Sequence, residues 1–414
     1  GLVAGLSSAC APTDAKDTTF TQVETTNSDF EESLVPVGNS PIMMATADYN
    51  GDGLVDVAVI NQLDETLSLL TQQVDDSFVE TVFSLGLEPQ LVLFADLDGG
   101  GTSQLDLAVM ENGSRQVRVL ANDGSAWSAT TVVVLGVALT MLVVDLAGDG
   151  GATDILLSEP QAERLQTLVN DGSGGFTALD FLTTHLPGEI VTGDWNEDGL
   201  LDVASAALDN SVAIILLGDG AGSYTETLVT VGADPSQILT FDANGDGHAD
   251  LAVTSLGDSD ITILLGDGAG AFSPSSQGVI ALHASPRVQL VGDFTGDGND
   301  LVTLHRGQGK LNFLNGDGAG AFTRTAITVG DNPLDLASGD FNGDGNLDLV
   351  LPVADDRALE FLIGDGAGGF TDNRIGFEFI GRIPRLVDLR SAGKADLLLL
   401  QRTMDRLVVL RNVH

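Results

Sequence analysis

The sequence is poor in cysteine and in basic residues. Its one cysteine, Cys10, cannot form an internal disulfide. Only 17 Lys and Arg stand against 60 Asp and Glu, which gives a formal net charge of −43. This charge excludes generic binding of nucleic acid, because phosphate contacts need Lys and Arg, and it argues against adhesion to anionic membranes. No stretch reaches the ~20 apolar residues of a transmembrane helix.

The N-terminus has a short apolar segment that ends in small residues. The first twelve residues read GLVAGLSSACAP. They resemble the end of a bacterial lipoprotein signal, in which the cysteine is acylated, although Ser7 stands where that pattern usually has Leu. We therefore expect an exported protein, with Cys10 as a candidate lipid anchor. Residues 1–18 are assigned to a signal remnant and linker, and residues 19–414 to the folded domain.

Two sequence landmarks recur along the whole chain. The first is an acidic, glycine-rich loop that begins at Asp48, Asp96, Asp145, Asp194, Asp242, Asp293, Asp340 and Asp388. The second is an aromatic residue that closes a polar turn, at Phe30, Phe78, Trp127, Phe176, Tyr224, Phe272, Phe322 and Phe370. Both landmarks keep a period of roughly 48 residues, which indicates eight copies of one supersecondary unit.

Each repeat predicts four short strands. Runs rich in Val, Ile, Leu and Thr alternate with Gly, Asp and Asn turns, and no segment has helical periodicity. Four-stranded sheets at this period are typical of propeller blades. Because Phe30 precedes the first acidic loop and no aromatic landmark follows Asp388, we expect a lone N-terminal strand, roughly residues 30–37, to complete the last blade. The prediction is an all-β, eight-bladed propeller whose ring is closed by that strand.

Four of the acidic loops have a complete set of oxygen donors. Positions 1, 3, 5 and 9 offer side-chain oxygens, position 7 offers a carbonyl, and oxygen ligands in a flexible loop suit Ca²⁺ better than Mg²⁺. The predicted ligands are Asp48, Asn50, Asp52, Leu54 and Asp56; Asp194, Asn196, Asp198, Leu200 and Asp202; Asp242, Asn244, Asp246, His248 and Asp250; Asp340, Asn342, Asp344, Asn346 and Asp348. The alternative is that these loops are plain Asx turns.

The other four loops are altered. Candidate ligands remain in three of them: Asp293, Thr295, Asp297 and Asp300; Asp145, Asp149 and Asp154; Asp96, Asp98 and Asp106. The loop at Asp388 has Arg390 and Lys394 where ligands or carbonyls belong, so we expect no ion there. The sequence therefore predicts four strong Ca²⁺ sites and at most seven.

These residues resemble the FG-GAP/VCBS repeat family, which includes the propellers of integrin α subunits. The specific part is Asp-x-Asn-Gly-Asp-Gly-x-x-Asp, as in residues 340–348, and Gly-Asp-Gly-x-Gly-x-Phe supports it, as in residues 266–272. The resemblance covers about residues 20–414. It implies Ca²⁺ sites on one rim and extracellular recognition or adhesion. Its usual blade number, seven, is the alternative to eight.

The strand order also predicts a face that carries a basic sector. Connections between strands 2 and 3 and between blades lie opposite the acidic loops, and ten of the 17 basic residues fall on them: Arg115, Arg164, Arg287, Arg306, Lys310, Arg357, Arg382, Arg385, Arg402 and Arg406. Eight of these, from Arg287 onward, are candidate contacts for an acidic glycan or protein. Scattered solubilising charge explains them equally well, and stacking of this face on an acidic rim would give filaments.

No catalytic motif is present. The sequence has no Gly-x-Ser-x-Gly, no nucleotide loop and five His in different repeats, of which His283 and His305 are the pair expected to meet if there is catalysis. The leading hypothesis is a non-enzymatic, calcium-stabilised exported or cell-surface propeller that binds protein or glycan. The alternatives are a polysaccharide-active enzyme on the same scaffold and a structural subunit of an extracellular assembly.

Overall fold

The chain folds into eight antiparallel sheets of four strands. The computed structural model describes residues 30–101, 104–124, 126–134, 136–146, 153–376, 382–389 and 395–412. The predictions for Cys10, Asp149, Arg390 and Lys394 lie outside these residues. Within them, a single turn of 3-10 helix at Pro160–Ala162 accompanies the strands. No helix among the described residues is long and apolar enough to cross a membrane.

Strand bounds follow the predicted repeat closely. In chain order they are β1 (Phe30–Pro36); in blade 1, β2 (Pro41–Ala47), β3 (Asp56–Asn61), β4 (Thr66–Gln72) and β5 (Phe78–Ser84); in blade 2, β6 (Pro89–Ala95), β7 (Asp106–Glu111), β8 (Gln116–Asn122) and β9 (Trp127–Val133); in blade 3, β10 (Thr140–Val144), β11 (Asp154–Glu159), β12 (Arg164–Asn170) and β13 (Phe176–Leu182); in blade 4, β14 (Pro187–Gly193), β15 (Asp202–Ala207), β16 (Val212–Gly218) and β17 (Tyr224–Thr230).

The second half of the ring repeats this order. It contains, in blade 5, β18 (Pro235–Phe241), β19 (Asp250–Ser255), β20 (Asp260–Gly266) and β21 (Phe272–Ala281); in blade 6, β22 (Pro286–Gly292), β23 (Asp300–His305), β24 (Lys310–Gly316) and β25 (Phe322–Thr328); in blade 7, β26 (Ala337–Gly339), β27 (Asp348–Val353), β28 (Ala358–Gly364) and β29 (Phe370–Gly376); in blade 8, β30 (Arg382–Val387), β31 (Asp396–Gln401) and β32 (Arg406–Asn412).

The N-terminal strand closes the ring. Strand β1 pairs antiparallel with β32, from Phe30 opposite Asn412 to Pro36 opposite Arg406, so blade 8 has the order β30-β31-β32-β1. This confirms the eight-bladed propeller with N-terminal closure, and the seven-bladed alternative is wrong. The first strands of the blades contact one another in a ring from β2 through β30 and back to β2, so they surround the central channel.

Burial follows from the position of each strand in its blade. The second strands, such as β3 and β19, are buried along their whole length because their two faces pack against the neighbouring blades. The outermost strands, such as β5, are mostly exposed, which explains their polar sequences. The first strands are only partly buried, because one edge faces the channel rather than another strand. The core is therefore a set of apolar layers between blades.

Candidate metal centres

The four complete loops share one conformation. In blade 1, Asp48 accepts N–H groups from Asp52 at 3.0 Å and Gly53 at 2.8 Å. Asn50 Oδ1 accepts the Asp52 N–H at 3.0 Å, and Asp52 Oδ1 accepts the Leu54 N–H at 2.8 Å. The last three of these four bonds recur at the corresponding positions of the loops that begin at Asp194, Asp242 and Asp340. Side-chain oxygens at positions 1, 3 and 5 therefore hold the backbone of all four loops in the same turn.

Position 6 of these loops requires glycine for conformational reasons. Gly53 has φ of 84°, in the left-handed region, and nothing lies within 4 Å of where a Cβ would be built. The constraint is therefore backbone strain and not lack of space. Position 4 is also left-handed, and there blade 4 has Glu197, with φ of 57°, in place of glycine.

The last acid of each loop is buried and holds the blade together. Asp202 is 0% exposed; its Oδ1 accepts the Gly218 N–H at 2.8 Å and its Oδ2 accepts the Trp195 N–H at 2.8 Å. The Oδ1 bond, to the residue sixteen positions later, recurs in all eight blades, from Asp56, Asp106, Asp154, Asp250, Asp300, Asp348 and Asp396. Sequence reasoning assigned these acids, except Asp396, to metal binding alone and missed this structural function.

The neighbourhood of these buried acids is short of positive charge. Burial raises the pKa of Asp56 to about 7, and the nearby carboxylates of Asp52 and Asp48 raise this pKa further, against the Gln72 and Tyr49 N–H groups that lower it. Burial raises the pKa of Asp106 to about 6 in the same way. A cation in the loop would relieve both the desolvation and the repulsion.

The altered loops differ from one another. In blade 2, carboxylate oxygens of Asp96, Asp98 and Asp106 lie within 4.8 Å of one another, despite the two extra residues in the loop. In blade 6 the hydroxyl of Thr295 bonds Asp300 Oδ2 at 3.0 Å and contacts Asp297, so the three side chains meet. In blades 3 and 8 only the loop ends are described, and there Asp154 and Asp396 bind the backbone as in the other blades.

The acidic loops and the polar turns lie on one face, as the strand order predicts. The turn between strands 3 and 4 of blade 5 packs on the loop of blade 4, where Gly270 donates its N–H to Trp195 O at 3.0 Å. Three other blades use side-chain amides instead. Asn170 bonds Leu97 O at 2.6 Å, and Asn412 and Gln72 bond Phe341 O and Leu389 O. These four loops are thus attached to the next blade.

Two neighbouring loops are also joined by charge. The Nδ1 atom of His248 lies 2.5 Å from Glu197 Oε1. This hydrogen bond, with the surrounding carboxylates, raises the pKa of His248. The sequence predicted only a carbonyl ligand at position 248, so this contact between blades 4 and 5 is an additional finding.

The basic residues of the opposite face mostly have partners within the chain. Arg402 bonds Ser40 Oγ at 2.7 Å and Gln62 Oε1 at 3.1 Å, which links blade 8 to blade 1. Arg306 contacts Leu334 O, Lys310 contacts Thr328 Oγ1 and Arg406 contacts Gln401 Oε1. Arg385 bonds Pro384 O at 3.5 Å, and the Arg382 side chain lies outside the described part of the chain. The proposed sector at Arg287, Arg357 and these residues remains a prediction.

The two histidines singled out for possible catalysis do meet. The rings of His283 and His305 pack edge to face, 5.6 Å apart, and Asn312 contacts both. His305 is 0% exposed, and burial lowers its pKa to about 4. This arrangement holds His305 neutral inside blade 6, which suits packing better than proton transfer to a solvent-borne substrate.

Comparisons with known proteins support the repeat assignment. Residues 194–253, 242–300 and 293–351 each match the model of an FG-GAP-like repeat, and each match begins at the first acid of a loop. A comparison with curated protein sequences finds no match.

Several solved structures share the fold. BBS1N, solved in complex with ARL6DN, is 11% identical, with a TM-score of 0.55 over 93% of this chain and 96% of that one. The dihydro-heme d1 dehydrogenase NirN is 9% identical, with a TM-score of 0.60 over 84% and 73%. A putative 6-phosphogluconolactonase of Bacteroides fragilis is 12% identical, with a TM-score of 0.51 over 87% and 98%. At these identities the likeness concerns the fold alone. The chain is an eight-bladed β-propeller, and its residues 194–351 are FG-GAP-like repeats.

Proposed function

We propose that this chain is a calcium-stabilised propeller of the cell surface or exterior that binds a protein or glycan partner. The observation that carries the proposal is the shared conformation of the four complete loops, in which Asp and Asn side-chain oxygens at the same positions accept the same backbone N–H groups. The FG-GAP-like repeats of blades 4 to 7 support a binding-type propeller.

The chemistry of the loops favours Ca²⁺. Their donors are carboxylate, amide and carbonyl oxygens, and Ca²⁺ takes six to eight such ligands in flexible geometry. Positions 1, 3 and 5 would hold the ion, with the carbonyl at position 7 and the buried acid at position 9. Bound Ca²⁺ would supply positive charge at a rim whose carboxylates otherwise repel one another, in a chain of net charge −43. Each site would then join strand 1 to strand 2 of its blade.

Ions bound in these loops would lie on the face opposite the basic residues. Their contribution would therefore be rigidity of the rim, with partner binding left to loops held in place by the metal. An exterior location accords with this, because millimolar Ca²⁺ outside cells fills even weak sites, and binding to the native state alone stabilises by about 2.7 kcal/mol at a hundredfold excess over Kd.

A charge-matched pair of variants tests the proposal. The first replaces Asp52, Asp198, Asp246 and Asp344, at position 5 of the loops, by Asn. The second replaces Asp219, Asp267, Asp317 and Asp365, which accept N–H bonds in the polar turns, by Asn. Both lose four charges. We expect Ca²⁺ to raise the melting temperature of the wild type and of the turn variant, and to have little effect on the loop variant. An equal response of both variants, or a melt insensitive to chelator, contradicts the metal assignment.

Partner binding needs its own measurement. Glycan arrays and pull-downs from surface extracts are run with Ca²⁺ and with chelator, using the wild type and the loop variant. We expect specific binding that depends on Ca²⁺ and releases no product. Shortened polysaccharide would favour the enzyme alternative, and calcium-dependent fibres would favour the structural subunit.

A further inference from the structure

The wall of the central channel carries a buried carboxyl group between blades 4 and 5. Glu189 lies on β14, the first strand of blade 4, and its carboxylate accepts the N–H of Ile238 on β18. Strand β18 pairs only with β19, so its other edge is free and faces the channel. The Glu189 side chain therefore crosses from one first strand to the free edge of the next.

This carboxyl group lacks the partners that burial demands. Its Oε2 atom is inaccessible to solvent and has no hydrogen-bond partner, although the residue as a whole is partly exposed. Burial raises the pKa of Glu189 to about 8, and the Ile238 N–H offsets only part of this effect. Buried polar groups almost always have a partner, and an exception calls for a bound water or ion.

A second unpartnered oxygen lies at the matching position of the next blade. Gln237, on β18, occupies the place in blade 5 that Glu189 occupies in blade 4, two residues after the proline that begins each strand. Its Oε1 atom is also buried without a partner. The corresponding residues of blades 1 and 2, Met43 and Leu91, are apolar, so these oxygens are a local feature and not a property of every repeat.

From these observations we propose a cation site in the channel, in which Glu189 Oε2 and Gln237 Oε1 bind a divalent metal ion, with water completing its coordination. Both atoms are hard oxygen donors, and one carries a charge that the surrounding strands leave without compensation. The ion would bridge the first strands of blades 4 and 5. This site is separate from the acidic loops and does not depend on their occupancy.

Glu189→Gln tests the site by its interaction with calcium. Gln keeps the shape and the acceptor for the Ile238 N–H, so the variant is expected to fold. In chelator near pH 7 we expect it to melt above the wild type, because the wild type must bury a carboxyl group either charged or protonated well above its usual pKa, whereas the amide is neutral. In saturating Ca²⁺ we expect this difference to shrink or reverse, because the variant loses the bridging ion. A difference that is the same in both conditions means that no ion binds and overturns the proposal.

The matched control is Asp335→Asn. Asp335 is the carboxylate at the same position of blade 7, and its Oδ1 accepts its own neighbour's N–H, from Leu336, at 2.9 Å. Asp335→Asn also removes one carboxylate at this first-strand position, so a purely electrostatic effect on the melting temperature would appear in both variants. We expect the calcium-dependent change only in Glu189→Gln.

Crystals soaked in Mn²⁺ locate the ion directly. We expect an anomalous peak between β14 and β18 in the wild type that is absent from Glu189→Gln, while loop peaks persist in both. An ordered water at that place, or a peak that survives the substitution, overturns the site. The anomalous peaks in the channel and in the loops are measured separately. Absence of the channel ion would therefore not contradict Ca²⁺ binding in the loops, and the reverse also holds.

Discussion

Asp396 Oδ1 accepts the N–H of Asn412 at 2.7 Å, in the one blade whose acidic loop has basic residues at the ligand positions. The same bond occurs in blade 7, where Asp348 accepts the Gly364 N–H at 2.8 Å within a complete loop. The last acid of the loop therefore has a structural task that remains where the ligand set is lost. Retention of an acid at this position is consequently not sufficient to predict an ion.

The two functions separate in a pair of alanine variants. Asp396→Ala leaves the N–H groups of Asn412 and Leu389 buried without acceptors, at a cost of about 1–3 kcal/mol, and we expect the same loss in Ca²⁺ and in chelator. Asp348→Ala makes the same backbone loss but also removes a ligand, so its loss is expected to be larger in Ca²⁺. Urea unfolding in both media measures this, and a calcium-independent difference for Asp348→Ala would show that its loop holds no ion.

The sequence was sufficient to predict the fold because its two landmarks fix both the period and the phase. The offset of Phe30 from Asp388 predicted closure by the N-terminal strand, which β1 and β32 confirm. The loops were found equally well, since their spacing is local in the chain. Contacts between blades could not be predicted from the sequence, because partners such as Glu197 and His248 are brought together only by the angle between neighbouring sheets.

Glu189 also shows that contacts between blades cannot be predicted from the sequence. In the sequence it is one polar residue among the alternating residues of a first strand, and only the closed ring places it on the wall of the channel. Arg402 is a further case, since a sequence shows where this residue lies but not that Ser40 and Gln62 bind it.

Two arginines of blade 8 add side-chain bonds to the pairing of β1 with β32 that closes the ring. Arg411 is 3% exposed and bonds Ser33 Oγ at 2.7 Å and Asp76 O at 2.6 Å, which attaches both β1 and blade 1. We expect Arg411→Met to destabilise the protein by about 1–3 kcal/mol, because it removes the charged donor of two partly buried hydrogen bonds. Arg402→Met removes a more exposed link on the other face and should cost less. The melting temperature and limited proteolysis near residue 30 measure the destabilisation by each variant. Equal destabilisation by Arg411→Met and Arg402→Met would contradict the larger contribution expected of Arg411.

Glu189 makes stability depend on pH in metal-free buffer. Its carboxyl pKa is raised from 4.5 to about 8, so the folded state holds its proton more tightly than the unfolded state. The contribution of Glu189 to the free energy of unfolding is therefore greatest below about pH 4.5 and falls as the pH rises toward about 8. At about 1.36 kcal/mol for each pKa unit, the fall is at most about 5 kcal/mol. We expect Glu189→Gln to flatten unfolding free energy over this window. If the unfolding free energy of Glu189→Gln declined with pH as steeply as that of the wild type, the Glu189 carboxylate would be solvated in the native state.

His305 gives the opposite dependence at lower pH. Its pKa is lowered from 6.5 to about 4 by burial and by the charges of His283 and Arg324, so the unfolded state binds the proton more readily. This group's stabilising effect is thus present above pH 6.5 and lost as pH falls toward about 4, with an upper limit of about 3 kcal/mol.

The sister blades offer a substitution that keeps the polar character of this position. Asn61 in blade 1 and Gln401 in blade 8 occupy the place of His305, and both are buried. We expect His305→Gln to lose some stability near pH 7, through its bonds to Thr303 and Asn312, and to be less sensitive to acid between about pH 6.5 and 4. Urea unfolding at about pH 7, 5.5 and 4.5 gives the change of unfolding free energy with pH for the wild type and for the variant. The positive charge of Arg324 also lowers the pKa of His305 and should deepen the wild-type decline, so Arg324→Gln is expected to make the decline shallower. If all three proteins decline alike, carboxylates elsewhere dominate the acid response and His305 is not held neutral by burial.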